Sequence, residues 1–292
     1  MDSLFGHISR SEASRGYALL APALIVLALL LAAPMALLFL YSLWTQNGLI
    51  LDTTPTLARY GEILTREGYL VLFLRSLGIS AIVTVLTVAL AYPMAYFVAF
   101  KAGRAKFVWL LLISIPFWTS YLLRVFAWKV ILGFNGLINS GLIGLGLISE
   151  PLEFLLYNPT AVVLTLVHTY AAFAILPIYV SLEKIDRSLL EAAADLGDGP
   201  LRRFLRITLP LSLPGVIGAA VLVFVPVTGD YVTPSLVGGT GGVMISSIIQ
   251  VQFARTGNWP LGAALAVASM AAVAVLAGLT VQALRLAVAR IK

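Results

Sequence analysis

Long runs without a single charged side chain constrain this chain more than any other feature. Tyr17–Leu43 is 27 residues with no Asp, Glu, Lys or Arg, Ser76–Phe100 is 25, Phe154–Leu182 is 29, Ile207–Gly229 is 23 and Leu261–Leu284 is 24. A shorter run, Phe107–Leu123, spans 17 residues before Arg124. A helix needs about 20 apolar residues to cross the hydrocarbon core of a bilayer. Six crossings follow, at about 17–43, 72–100, 107–128, 160–182, 211–230 and 261–285. Charged residues are only 11% of the 292 and hydrophobic ones 60%. That is far too little charge for a soluble surface, which excludes an ordinary soluble enzyme. The fold class expected is all-α, a polytopic membrane protein. The first run is nearly twice the length of a secretory signal core, so it reads as an uncleaved first helix.

Two other uncharged stretches are not counted as crossings. Val130–Ser149 holds five glycines and two asparagines, and Val232–Ala254 is broken by Pro234 and by Gly238, Gly239, Gly241 and Gly242. Unpaired backbone cannot face lipid, so both are expected to be external or re-entrant segments packed against protein.

Charge fixes the orientation. With six crossings, residues 1–16, 101–106, 183–206 and 285–292 fall on one side and carry 13 of the 19 Lys and Arg. The other side carries Arg59, Arg66, Arg75, Arg124, Lys129 and Arg255, while the acids divide 7 to 6. The positive-inside rule makes the first side cytoplasmic, both termini included. The net charge of +6 therefore reports topology, not affinity for nucleic acid. Such a chain is expected to sit in a membrane as a multi-pass protein, with lipid as one of its partners.

Several chemistries are absent. There is no cysteine and there are two histidines, His7 and His168, so thiolate and histidine-rich metal sites are excluded. No Gly-Lys pair occurs, so there is no phosphate-binding P-loop. His168 falls within a span and reads as a neutral, hydrogen-bonded packing residue.

The most informative segment is 186–210, which contains Ser188-Leu-Leu-Glu191-Ala192-Ala193-Ala194-Asp195-Leu-Gly197 and ends Arg206-Ile207-Thr-Leu209-Pro210. Ser188 followed by Glu191 has capping-box spacing, which starts a helix. Gly197 is placed to end it in the left-handed conformation, and Pro200 suits the first turn of a second helix. Composition alone describes an amphipathic linker with arginines reaching to the headgroups. The spacing Glu191-Ala192-Ala193, Gly197, Ile207, Leu209-Pro210 also resembles the EAA motif of the membrane subunits of bacterial ABC importers.

That resemblance extends over roughly residues 70–285. Arg124–Leu132 with Gly136–Asn139, Phe224–Pro234 and Asn258–Leu265 resemble the corresponding segments of spermidine/putrescine-type permeases. The resemblance implies the type I ABC importer permease fold, not an enzyme. It implies no cofactor in this chain, with ATP and Mg on a partner ATPase. In that family the EAA loop sits on the ATPase, so Glu191, Ala192, Ala193, Gly197, Ile207, Leu209 and Pro210 become the coupling residues. The further partners implied are the second subunit of an ATP-binding cassette dimer, a second EAA-type permease and a periplasmic or lipid-anchored solute-binding protein.

Charge within a membrane is expensive and usually functional. Asp230, beside Tyr231 where the fifth crossing ends, is the candidate carboxylate for a cationic solute. Trp118, Tyr121 and Trp128 are candidate aromatic faces for an amine, although an interfacial aromatic belt has the same composition. Pro116, Pro177 and Pro226 are expected to bend their spans. A different solute (an opine, an aminophosphonate or an inorganic anion) fits the same loop. A secondary transporter or channel working alone should show inverted repeats or paired intramembrane charges, and a membrane-embedded enzyme should show an acid–base pair; the sequence offers none of these.

Overall fold

The structure is a computed structural model that describes residues 12–48 and 50–289. The expected N-terminal segment 1–16 lies mostly outside those residues, as do Leu49 and residues 290–292. Along the chain run α1 (Glu12–Ser42), a short antiparallel hairpin of β1 (Thr45–Asn47) and β2 (Ile50–Asp52), α2 (Ala58–Thr65), α3 (Glu67–Phe100), α4 (Lys106–Ser114), α5 (Tyr121–Leu132) and α6 (Leu137–Gly144). Then follow α7 (Pro159–Glu183), α8 (Arg187–Asp195), α9 (Pro200–Arg203), α10 (Leu209–Gly229), α11 (Val232–Val237), α12 (Ile245–Val251) and α13 (Trp259–Ala289). The hairpin is the one departure from an all-helical chain among the described residues, and its strands are only three residues each.

Six segments are long and apolar enough to cross a membrane: Gly16–Ser42, Glu67–Phe100, Tyr121–Gly144, Pro159–Glu183, Pro200–Gly229 and Trp259–Gln282. The third differs from the expected 107–128. Length and apolarity start it at Tyr121, whereas packing starts it at Lys106. Lys106 Nζ lies 2.6 Å from Glu183 Oε1 at the end of α7. Lys129 Nζ lies 5.9 Å from the ring centre of Tyr157, just ahead of the start of α7. Residues 106–129 therefore run antiparallel to the whole of α7, which is about 37 Å long at 1.5 Å per residue. An ion pair marks one end of this packing and a lysine–ring contact the other. The helix breaks between Ser114 and Tyr121 because Pro116 has no N–H to donate and crowds the preceding turn; a 3-10 turn at Ile115–Trp118 bridges the gap. Pro177 and Pro226 cause no such break and lie inside continuous helices.

The core is the seam between α3, α7 and α10. Val83, Ala91, Ala95 and Val98 of α3, Val162, Leu166, Ala174 and Ile178 of α7, and Ala219, Val223 and Val227 of α10 are all buried there. Lipid is as apolar as leucine, so close backbone approach and polar links hold helices together inside it. The alanines supply the first. The Tyr92 hydroxyl against Ser212 Oγ at 2.8 Å, joining α3 to α10, supplies the second. A smaller cluster of Ile63, Ile245, Leu261, Ala264 and Leu265 joins α2, α12 and α13. Helix α1 packs on α13, and its long apolar side chains are otherwise exposed, as expected of a surface that faces lipid.

The two stretches excluded from the crossings are short helices separated by turns. Helix α6 leaves α5 through Gly133–Gly136. Helices α11 and α12 are joined by the glycine run. There Gly239 takes φ +56°, and a Cβ on it would sit 2.3 Å from the Tyr157 carbonyl oxygen.

Candidate functional site

The segment 186–210 forms two helices around one turn, with a different cap from the one its spacing suggested. The Asp186 side chain accepts from the Ser188 amide at 2.9 Å and starts α8. Ser188 is therefore inside the helix, and no Ser188–Glu191 capping box forms. Asp beats Ser here because its carboxylate both accepts the bond and opposes the positive end of the helix dipole. That amide bond holds the Asp186 carboxyl below its ordinary pKa of 3.8.

The end of α8 is as expected. The Asp198 amide donates to the Ala193 carbonyl at 2.9 Å, and the Gly197 amide to Ala194 at 2.9 Å. This is the paired bonding of a Schellman turn, with Gly197 at φ +87° in the position that requires the left-handed region. Pro200 opens α9 at its first turn. Arg206 pairs with Asp198 at 3.5 Å across the turn. Glu191 and Ala192 are exposed and Ala193 is buried. Around them Leu189, Leu196, Leu201 and Leu205 present large apolar side chains to the outside, Leu196 at 88% exposure. Ile207 lies in a π-helical turn, Phe204–Thr208, just ahead of Leu209 and Pro210 at the start of α10. The seven motif residues thus fall into two groups: a surface on α8 and its turn, and a junction that carries the loop into the next crossing.

Of the pathway candidates, Asp230 and Tyr231 lie at the end of α10 away from that loop. Asp230 is 8% exposed. Its carboxylate accepts the Tyr121 hydroxyl through Oδ2, while Oδ1 accepts the amides of Val232 at 2.9 Å and Thr233 at 3.3 Å. Tyr121 Oη also lies 2.7 Å from Thr233 Oγ1. The Asp230 carbonyl also accepts from Ser246 Oγ at 2.6 Å. Asp230 therefore ties α5, α11 and α12 together and turns its charge inward. Tyr231 is 46% exposed and lines a cavity of about 570 Å³ between α10, α12 and α13, with Thr228, Gln250, Phe253 and Ser269. Trp118 is 87% exposed and away from this cavity. Trp128 donates its indole N–H to His168 Nδ1 at 3.0 Å, which leaves Nε2 as the protonated nitrogen of a neutral ring. Arg124 donates to the Thr169 carbonyl at 3.2 Å and packs 6.0 Å from the Tyr121 ring centre.

The structure thus joins Tyr121 to Asp230 and leaves Trp118, Trp128 and Tyr231 apart from that pair. The Tyr121–Asp230 contact crosses 109 positions in the chain, and no local pattern announces it. Asp186, just ahead of Arg187, is as acceptable a helix start by residue type as Ser188, and the geometry decides between them. No metal cluster occurs among the described residues.

The chain matches the family described as the binding-protein-dependent transport system inner membrane component over residues 69–290. It is 38% identical over 199 residues to the spermidine/putrescine transport system permease protein PotB of Escherichia coli K12, covering 68% of this chain and 72% of that one. It is 31% identical over 236 residues to the inner membrane ABC transporter permease protein YdcU of the same organism, covering 76% and 74%. Among solved structures, a bacterial ABC transporter involved in import of the acidic polysaccharide alginate superposes with a TM-score of 0.68 at 17% identity, over 97% of this chain and 99% of that one. The fold is therefore that of an ABC importer permease. With six apolar crossings and a family match over most of its length, the chain belongs to the binding-protein-dependent transport system inner membrane components, as a multi-pass permease subunit and not an enzyme.

Proposed function

We propose that this chain is the permease subunit of an ATP-driven importer for spermidine, putrescine or a similar small cationic organic solute. The observation that carries it is 38% identity over most of the chain to a permease named for that transport. The exposed apolar surface on α8 and its glycine turn supports the coupling role. A short helix that offers Ala192, Leu189 and Leu196 outward, braced by a closed Schellman turn, suits a cleft on a soluble ATPase. That ATPase carries the ATP and Mg. A second permease of the same fold completes the membrane pore, and a solute-binding protein delivers the solute from outside.

In this reading the loop side of the bundle is cytoplasmic, and so are both termini. The third crossing is 106–129, since Lys106 meets Glu183 at the cytoplasmic end. At the outer end, Tyr231 and its cavity offer an aromatic face to an ammonium group. The buried Asp230 carboxylate, directly behind, lends negative potential without direct contact. Tyr121 orients that carboxylate. Trp128 serves the outer part of the third crossing, and Trp118 lies midway along it. Uptake of labelled spermidine and putrescine by polyamine-transport-deficient cells tests the solute. The complete transporter should restore accumulation, and deletion of this chain should abolish it. If restored cells accumulate neither polyamine, the solute reading is overturned.

A further inference from the structure

We propose that a second, outer pocket, bounded by Tyr157, Ser235, Gly239, Ser247, Gln250 and Arg255, receives a carboxylate side chain of the solute-binding protein. This rests on the reading above that such a protein docks on the outer face. The pocket holds about 410 Å³, which is room for the tip of a loop carrying one acidic residue. Arg255 is the only charged residue in its lining, and it makes no ion pair among the described residues. Ser247 is 8% exposed, yet its hydroxyl has no hydrogen-bond partner. A buried hydroxyl left without a partner costs free energy, and a ligand oxygen would supply one. Arg255 and Ser247 both line this space, no carboxylate of the chain's own borders it, and a guanidinium without an ion-pair partner among the described residues fits an incoming carboxylate.

The pocket is also built to keep its shape. Tyr157 holds φ +61°, a conformation rare for a residue with a side chain. Its carbonyl abuts Gly239, where no Cβ fits. Helix α12 stands between this pocket and the larger cavity beside Tyr231. Ser247, Val251 and Arg255 serve the outer side, Ile245, Ser246 and Ile249 the inner side, and Gln250 lines both. An acidic side chain seated here would press on the element that borders the solute's route. The family is binding-protein-dependent, which favours the binding protein over a lipid headgroup as the source of the carboxylate.

The test uses the complete transporter in nanodiscs, titrated with solute-loaded binding protein, with ATPase rate as the readout. Arg255→Gln should raise the half-saturating concentration about tenfold and preserve the maximal rate, as expected for loss of one interfacial charge contact. It should also flatten the dependence of that concentration on salt. Arg255→Glu should raise it further. Ser247→Ala should raise it roughly threefold without harming the fold, because the hydroxyl forms no bond within the chain. Half-saturation within twofold of the unmutated complex in both Arg255 variants would overturn the pocket. So would a changed maximal rate at unchanged half-saturation, which would assign the pocket to the solute. Absence of any stimulation in the unmutated complex would overturn the permease reading itself and the pocket with it.

Discussion

Substitution of Gly197 isolates the backbone of the coupling turn. At φ +87° this residue occupies a region that side chains avoid. A Cβ placed there would meet nothing within 4 Å, so the penalty for Gly197→Ala is purely conformational. The left-handed region costs a non-glycine residue about 1–2 kcal/mol, which corresponds to a factor of roughly 5–30 in an equilibrium. Relaxing that strain would break the Asp198–Ala193 and Gly197–Ala194 bonds and swing α8 out of register with the ATPase. Gly197→Ala should therefore reduce binding-protein-stimulated ATPase activity about tenfold in reconstituted complexes, while the amount of protein in the membrane stays normal. Gly197→Asn should be milder, because Asn tolerates the left-handed region. Equal, near-normal stimulation in both variants would refute the reasoning, since it would show that the turn's geometry does not matter to coupling.

Other perturbations follow from particular contacts. Asp230→Asn keeps the side-chain length and the amide bonds of Val232 and Thr233 to Oδ1, with its new N–H donating to the Tyr121 oxygen, so it should assemble normally and transport about tenfold less for loss of the negative potential behind Tyr231. Asp230→Glu overreaches that geometry and should accumulate poorly in the membrane; immunoblots beside uptake assays separate the two effects. The Asp186 carboxyl, held low by the Ser188 amide, contributes to α8 at any pH above the unfolded value and loses that contribution only as pH falls through the lowered one. Stimulated ATPase activity of the Asp186→Asn variant should consequently track the unmutated protein from about pH 8 to about pH 5. The Lys106–Glu183 pair is partly exposed, at 25% and 41%, so Lys106→Gln should cost at most about 1 kcal/mol in thermal unfolding, and the Lys106→Glu, Glu183→Lys swap should recover it.

The crossings were legible because lipid imposes a single rule, an uncharged run of sufficient length, and the chain obeys it without local conflict. The glycine turn at Gly197 and the proline at Pro200 were legible for the same reason: each residue type performs one backbone task. Helix starts were less so. Asp186 and Ser188 are both plausible caps, and only the geometry shows that the first one wins. The broken third crossing lay half hidden, since Pro116 breaks its helix while Pro177 and Pro226 sit inside theirs, and neighbouring packing decides between those outcomes. Asp230 was found as a residue and misjudged in its surroundings. Its isolation in the sequence suggested a carboxylate open to solute, but Tyr121 folds against it from 109 positions away. The pocket at Arg255 escaped notice because Tyr157 closes it from a distant part of the chain, and residues 234–255, which supply the rest of its wall, carry no motif for it.

In the proposed function, ATP hydrolysis on a partner subunit drives solute through this chain. Proteoliposomes containing this chain, its partner permease and the ATPase, supplied with ATP on the loop side and loaded binding protein on the other, test it most directly. ATP hydrolysis and labelled spermidine transport should rise together when the binding protein is added, and both should be lost when the ATPase is left out. Spermidine transport that persists without the ATPase, driven by an ion gradient alone, would contradict the proposed function.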